Sequence, residues 1–208
     1  MNHRLLATSA LAVTLALSAA ACTSRGSPSS SSPAASAPGS ASSPASGAAA
    51  MDFGPACSAV PTPGAGSFTG MSTAPVATAA SANPVLSTLV TAVTKAGLAD
   101  TLNSAPAITV FAPDNAAFAK IPSATLAKVL ADKAELTKIL TYHVATGRYT
   151  PAQLAAGTPI KTLEGATIAP ARMGGTYEVN SADVVCGNVQ TANATVYIIN
   201  TVLMPPSS

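Results

Sequence analysis

The side chains best suited to covalent, metal or proton chemistry are few in this 208-residue sequence: three cysteines, two histidines and eight Asp plus Glu. His3 stands at the extreme N-terminus, so His143 would have to serve any acid–base or metal centre alone. A single histidine without cysteine or carboxylate companions at ligand spacing does not make a metal site. The sequence has no Gly-x-Ser-x-Gly elbow, no His-Glu-x-x-His pair and no phosphate loop. Asp132 and Glu135 have the spacing of a helix cap, and Asp52, Asp100, Asp114 and Asp183 are scattered. We therefore expect no catalysis, no metal and no cofactor. Ten Lys plus Arg against eight acids give +2, which excludes a strongly basic nucleic-acid binder, and the lack of Trp removes one kind of stacking platform.

The N-terminus explains one cysteine. Met1-Asn2-His3-Arg4 is a short cationic start, and Leu5 to Ala21 is a 17-residue run without charge that ends in Ala19-Ala20-Ala21-Cys22. Small residues after an apolar stretch mark a secretory signal peptide over 1–21, and the run is short for a membrane span. Cys22 resembles the lipidated cysteine of a bacterial lipobox, although Ala19 stands where leucine is preferred. Cleavage before an acylated Cys22 and ordinary cleavage that leaves a free thiol both fit this pattern. Cysteine counting favours acylation. Three cysteines in an exported chain leave one odd, and a lipidated Cys22 leaves Cys57 and Cys186 to pair.

Beyond Cys22 the composition changes. Of the 28 residues from Thr23 to Ala50, 26 are Ser, Ala, Pro or Gly, too little apolar surface to offset the entropy of ordering them. Residues 22–50 are thus expected to form a disordered linker, spanning about 30 Å root-mean-square and holding a domain away from a membrane. Its Ser and Pro also suit an O-glycosylated stalk. Residues 51–72, rich in Gly and Pro, show little periodicity and are expected to be extended. A folded domain is expected over 73–208.

Within that domain Asn83-Pro84 reads as a cap and first helical residue, with Leu86, Leu89, Val90 and Val93 at helical spacing and Gly97 as the stop. Ile108 to Ala112 is β-branched and aromatic and reads as a buried strand. Asp114, Ser123, Asp132 and Thr150 open four further helices, the third carrying Leu136, Ile139 and Leu140. After Gly157 the period becomes two. Short strands are predicted over 160–163, 167–171, 177–179, 182–186, 189–192 and 196–203, separated by Gly and Asn turns. Helices first and strands last make an α+β pattern, with the helices on one side of a mostly antiparallel arrangement. Val196, Ile198 and Val202 alternate with Tyr197, Ile199 and Leu203, so both faces of the last strand are apolar, as in an inner strand.

These residues carry a family resemblance. Thr109-Val-Phe-Ala-Pro-Asp-Asn-Ala-Ala-Phe118 resembles the first signature block of the fasciclin (FAS1) domain, and Tyr142-His143-Val144 is similar to its Tyr-His motif. The segment from Gly187 to Pro205, ending in Val202-Leu203-Met204-Pro205, looks like the second block. Within the family the chain resembles the single-domain secreted and lipid-anchored antigens of actinobacteria. Those proteins carry a cysteine before the domain and one in an Asp-Val-Val-Cys-Gly strand, matching Cys57 and Cys186. The resemblance implies a β-sandwich or wedge of two sheets flanked by short helices, and roles in adhesion or ligand contact. In animal members, integrin adhesion is ascribed to residues around the Tyr-His motif.

Tyr142 and His143 are accordingly the candidate binding motif, and the competing reading is structural. A buried, hydrogen-bonded His143 would hold the junction from helix to strand, and acidification would then destabilise the domain. Asn193-Ala194-Thr195 fits a glycosylation sequon at an expected turn. The expected molecule is a monomeric cell-surface lipoprotein, partly secreted, held to the membrane through Cys22. Its domain would bind an extracellular protein or glycan. The alternative is an extracytoplasmic carrier for a small apolar ligand or lipid. A contiguous exposed apolar patch would favour the first, an enclosed cavity the second.

Overall fold

Several helices of the first half begin where a side chain can replace a missing backbone partner. The computed structural model describes residues 51–206; the signal segment, Cys22 and the linker lie outside the described residues. Helices α1 (Phe68–Ser72), α2 (Val76–Ser81), α3 (Ser87–Ala96) and α4 (Ala99–Ser104) come first. Ser67 caps α1 through the Gly70 N–H, and the Asn83 side chain accepts from the Val85 N–H ahead of α3. Gly97, at φ 73°, ends α3 in the left-handed region where a glycine costs least. The expectations for Asn83, Pro84 and Gly97 hold, whereas α1, α2 and α4 were not expected. They are five or six residues long, too short to show a periodic pattern.

Strand β1 (Ile108–Pro113) follows, then α5 (Asn115–Ala119), α6 (Ser123–Ala131), α7 (Lys133–Tyr142), β2 (Val144–Thr146) and α8 (Pro151–Ala155). Asp114 caps α5 through the Ala117 N–H, Asp132 caps α7 through Ala134 and Glu135, and Thr150 forms a reciprocal capping box with Gln153 on α8. The remaining strands are β3 (Ile160–Lys161), β4 (Thr167–Ile168), β5 (Pro170–Met173), β6 (Thr176–Val179), β7 (Ala182–Gln190) and β8 (Ala194–Ile199).

The architecture is α+β and fasciclin-like, with two unequal sheets. Six strands lie in the order β2-β1-β8-β7-β6-β5, and β3 pairs with β4 in a small second sheet. All pairings are antiparallel except β1 with β8, which run parallel from Ile108↔Ala194 to Pro113↔Ile199. This central pair joins the two family signature blocks, and all six residues of each strand are buried.

Several strand boundaries differ from expectation: the segment expected at 160–163 stops at Lys161, and the one expected at 167–171 divides into β4 and β5, which belong to different sheets. The segments expected at 182–186 and 189–192 form one strand, β7, because Gly187-Asn188 makes a register irregularity within the ladder and not a turn. The last strand stops at Ile199. From there Asn200 clips onto Asp183: its Oδ1 accepts from the Asp183 N–H and its Nδ2 donates to the Asp183 carboxylate at 2.7 Å.

Residues 51–72 are not extended throughout. Phe53 bridges Gly187 with two backbone hydrogen bonds, a 3₁₀ turn runs Pro55–Ala59, and α1 follows. Cys57 and Cys186 are joined by a disulfide with Cα atoms 4.9 Å apart. A Cβ at Gly187 would run into the Phe53 ring, so glycine is what lets this strap lie on β7.

The strands divide the interior in two. Ile108, Val110, Ala112, Val196 and Ile198 face one cluster, together with α2, α3, α4 and α7. Phe111, Tyr197 and Ile199 face the other, with Tyr142, Leu154, Ile160 and Val179. Alternation along two adjacent strands sorts the side chains between these clusters.

Candidate functional site

His143 follows directly on α7, at its C-cap, and its burial is nearly complete, at 2% exposed. Nδ1 lies 2.8 Å from the Ile139 carbonyl oxygen, and Nε2 accepts from the Leu203 N–H at 2.9 Å. That pairing requires a neutral ring with its proton on Nδ1. Burial lowers its pKa to about 4, against a smaller opposing effect of the Ile139 carbonyl. Its neighbour Tyr142 is 2% exposed, and its hydroxyl accepts from Asn180 at 2.6 Å and donates to the Thr167 carbonyl at 3.3 Å. Sequence reasoning offered this pair as a binding motif. The structure places both side chains inside, where they tie α7 to the C-terminal segment and to β4, so they present no contact surface of their own.

An apolar groove opens beside them. It encloses about 260 Å³ between α2, α3 and α4 on one side and β1, β2 and α7 on the other. Ala80, Val90, Val93, Leu102, Val110 and Leu140 are among its lining residues, and His143 reaches it. Apart from neutral His143 no ionisable side chain lines it; the polar contribution is Thr, Ser and Asn103. The volume falls just below the ~300–1,000 Å³ of ordinary ligand pockets, a size for one apolar chain or ring. A wider depression by Thr88, Asn115, Lys120 and Leu126 is broadly open to solvent and gives a ligand little enclosure. The groove exists because α2 presents Val, Ala and Thr where larger side chains would fill the space.

Asparagines hold the walls of this groove, a role sequence reasoning missed. Asn103 Oδ1 accepts from the Ala77 N–H, at the first turn of α2. Asn193 Oδ1 accepts from the Val76 N–H, and its Nδ2 donates to the carbonyls of Leu102 and Ala105 at 2.7 and 2.8 Å. The amide that a sequon would offer to a glycan is therefore already spent on α2 and α4. No local pattern marks Asn193 as a clip, since its partners lie 88 to 117 residues away.

Among the described residues no group of three or more His, Cys, Asp and Glu could hold a metal ion, and no helix is long and apolar enough to cross a membrane. Cys22, the expected lipidation site, lies outside the described residues.

The parallel pair β1–β8, the Tyr-His junction and the helices packed on one face define a class, and the comparisons with known proteins agree. A fasciclin-domain model matches residues 84–205, and the chain belongs to that family, which is non-catalytic. Its relatives include the immunogenic protein MPB70 of Mycobacterium bovis, 49% identical over 170 residues that cover 77% of this chain and 86% of the relative. The cell surface glycolipoprotein MPB83 of the same species is 50% identical over 149 residues, covering 69% of this chain and 66% of the relative. A solved FAS1 domain pair from the insect cell adhesion molecule Fasciclin I superposes with a TM-score of 0.55 at 19% identity, over 65% of this chain and 52% of that one, a likeness of fold.

Proposed function

We propose that this protein is a non-catalytic binding module displayed outside the cell on a lipidated Cys22, and that its ligand is a small apolar molecule seated in the groove. The groove carries the reading: an uncharged, partly enclosed space in a core otherwise packed tight. Exposed large apolar side chains give no comparable argument for a protein or glycan partner, because Met51, Leu163, Met173 and Met204 stand on separate segments. Surface display draws support from the signal-like segment before Cys22 and from a relative named as a cell surface glycolipoprotein. Filling a pocket of this size removes apolar area from water at about 25 cal/mol per Å², enough for micromolar to millimolar affinity in a small ligand.

The test uses the full chain carrying Cys22→Ser, which takes no acyl group. Titration with 1-decanol, followed by methyl NMR, should shift Val90, Val93, Leu102 and Leu140 together. Shifts confined to Met51 or Met173, or none at all, would reject the groove as the binding site. Intact mass of the membrane-fraction protein tests the display: an acylated Cys22 supports it, and an unmodified thiol there sinks it.

A further inference from the structure

Lys133 stands close to one end of the groove without lining it. Helix α7 starts at Lys133, and a 3.6-residue period puts Lys133, Thr137, Leu140 and Thr141 on one face. Leu140 and Thr141 line the groove, so Lys133 stands on the same stripe about 12 Å before Thr141 at 1.5 Å per residue. Its ammonium comes over the turn at Gly97, 3.7 Å from where a Cβ on that glycine would sit. Thr94 and Leu98, on either side of Gly97 in the chain, both line the groove. Lys133 is itself exposed and, among the described residues, is in no ion pair; the salt bridge present joins Lys138 to Glu164.

We infer that the groove's ligand is a single-chain amphiphile with a carboxylate head, a fatty acid, its tail among Val90, Val93, Leu102 and Leu140 and its head at Lys133. The inference rests on the groove reading above and adds the head group to it. An ionised head cannot enter a space lined by apolar residues and neutral hydroxyls without losing its hydration, so it must stay at an end. At the α3 end the group that meets it is an ammonium, and a charge-assisted hydrogen bond there adds to the apolar contacts of the tail. Without a ligand the same ammonium offsets the partial negative charge at the C-terminus of α3. Asp100, in the first turn of α4 and next in the chain to the lining residues Ala99 and Thr101, carries the opposite sign. It offsets the N-terminal dipole of its own helix, and it is the group a cationic amphiphile would choose.

Calorimetric titration of the full Cys22→Ser chain with decanoate, 1-decanol and decyltrimethylammonium, at pH 7 and below micelle formation, separates the possibilities. Decanoate should bind at least tenfold more tightly than 1-decanol, and 0.5 M salt should shrink that ratio. Lys133→Met should bring decanoate down to the level of the alcohol and leave the alcohol unchanged, while Lys133→Arg should keep the preference. Equal binding of acid and alcohol to the unsubstituted protein would overturn the carboxylate head and leave the groove reading standing. Tighter binding of the ammonium compound would also overturn it, in favour of Asp100. A loss of alcohol binding in Lys133→Met would show a structural lysine and overturn it as well. If none of the three binds, the groove reading falls together with the inference.

Discussion

The two sides of the β1–β8 pair are built from different materials. Six of the eight aromatic residues gather on one side: Phe111, Tyr142 and Tyr197 within the cluster, with Phe53, Tyr149 and Tyr177 packed against it. Their rings lie close, Phe53 to Tyr177 at 4.7 Å and Phe111 to Tyr197 at 5.9 Å, and the Tyr197 hydroxyl donates to the Tyr149 carbonyl at 2.7 Å. Large rings with satisfied polar tips fill space and fix it. The other side is made mostly of Ala, Val and Leu on short helices, and there the groove remains. Small side chains leave the space there, and the asparagine clips fix α2 to α4 along one of its walls. One half is filled, and the other keeps an open groove.

That contrast can be tested by perturbing each half. The largest effect should come from the link that joins them: Cys57 packs on the helical cluster while Phe53, four residues earlier, packs on the aromatic one. Replacing Cys57 and Cys186 by Ser and Ala opens a loop with a sequence separation of 129 and should cost up to about 5 kcal/mol by chain entropy, read by denaturant unfolding. Leu154→Ala, in the filled half, should fall near the top of the roughly 2–5 kcal/mol range for such a truncation, and Leu89→Ala beside the groove near its bottom. Equal losses at the two positions would erase the distinction.

His143 reaches the groove and stands at the border between the halves, and its effect is set by pH. The unfolded chain protonates it near 6.5 and the folded chain only near 4. Its neutral-form stability is thus complete above about pH 6.5 and lost as pH falls towards 4. The loss reaches about 3 kcal/mol, because each pKa unit is worth about 1.4 kcal/mol. Protonated Nε2 could not accept from the Leu203 N–H, so the C-terminal segment should loosen first, seen as faster amide exchange at Leu203. In His143→Asn the difference in unfolding free energy between pH 7 and 4.5 should shrink by most of that amount; an unchanged slope would remove His143 from the account. The smallest effect on stability belongs to Val90→Phe. A ring placed into empty space should move stability by less than about 1 kcal/mol while abolishing decanol binding, because the site is then occupied by the protein itself.

The skeleton was readable where local chemistry decides it. Caps at Asn83, Asp114, Asp132 and Thr150, the stop at Gly97, the buried strand after Ile108 and the double-faced apolar strand after Val196 follow from side chains within a few residues of each other. Features settled by distant partners were not readable. Gly187-Asn188 has the composition of a turn, and only Phe53 lying on Gly187 makes it an irregularity inside a strand. Asn193 has the pattern of a sequon, and only α2 and α4 folding over it show a clip. The structural reading of His143 came from the sequence, while the groove beside it did not. An unfilled volume is a property of six elements together, and no stretch of sequence describes it.

The strap has a mechanical consequence. Tension applied between the chain before Cys57 and the chain after Cys186 has a covalent path through two sulfur atoms. Residues 58–185, which include every residue lining the groove, lie on a closed side branch and carry none of the pull along their own backbone. The chain after Cys186 does carry load, and it holds β8 and Asn193, so the groove lasts only as long as that segment stays in the sheet.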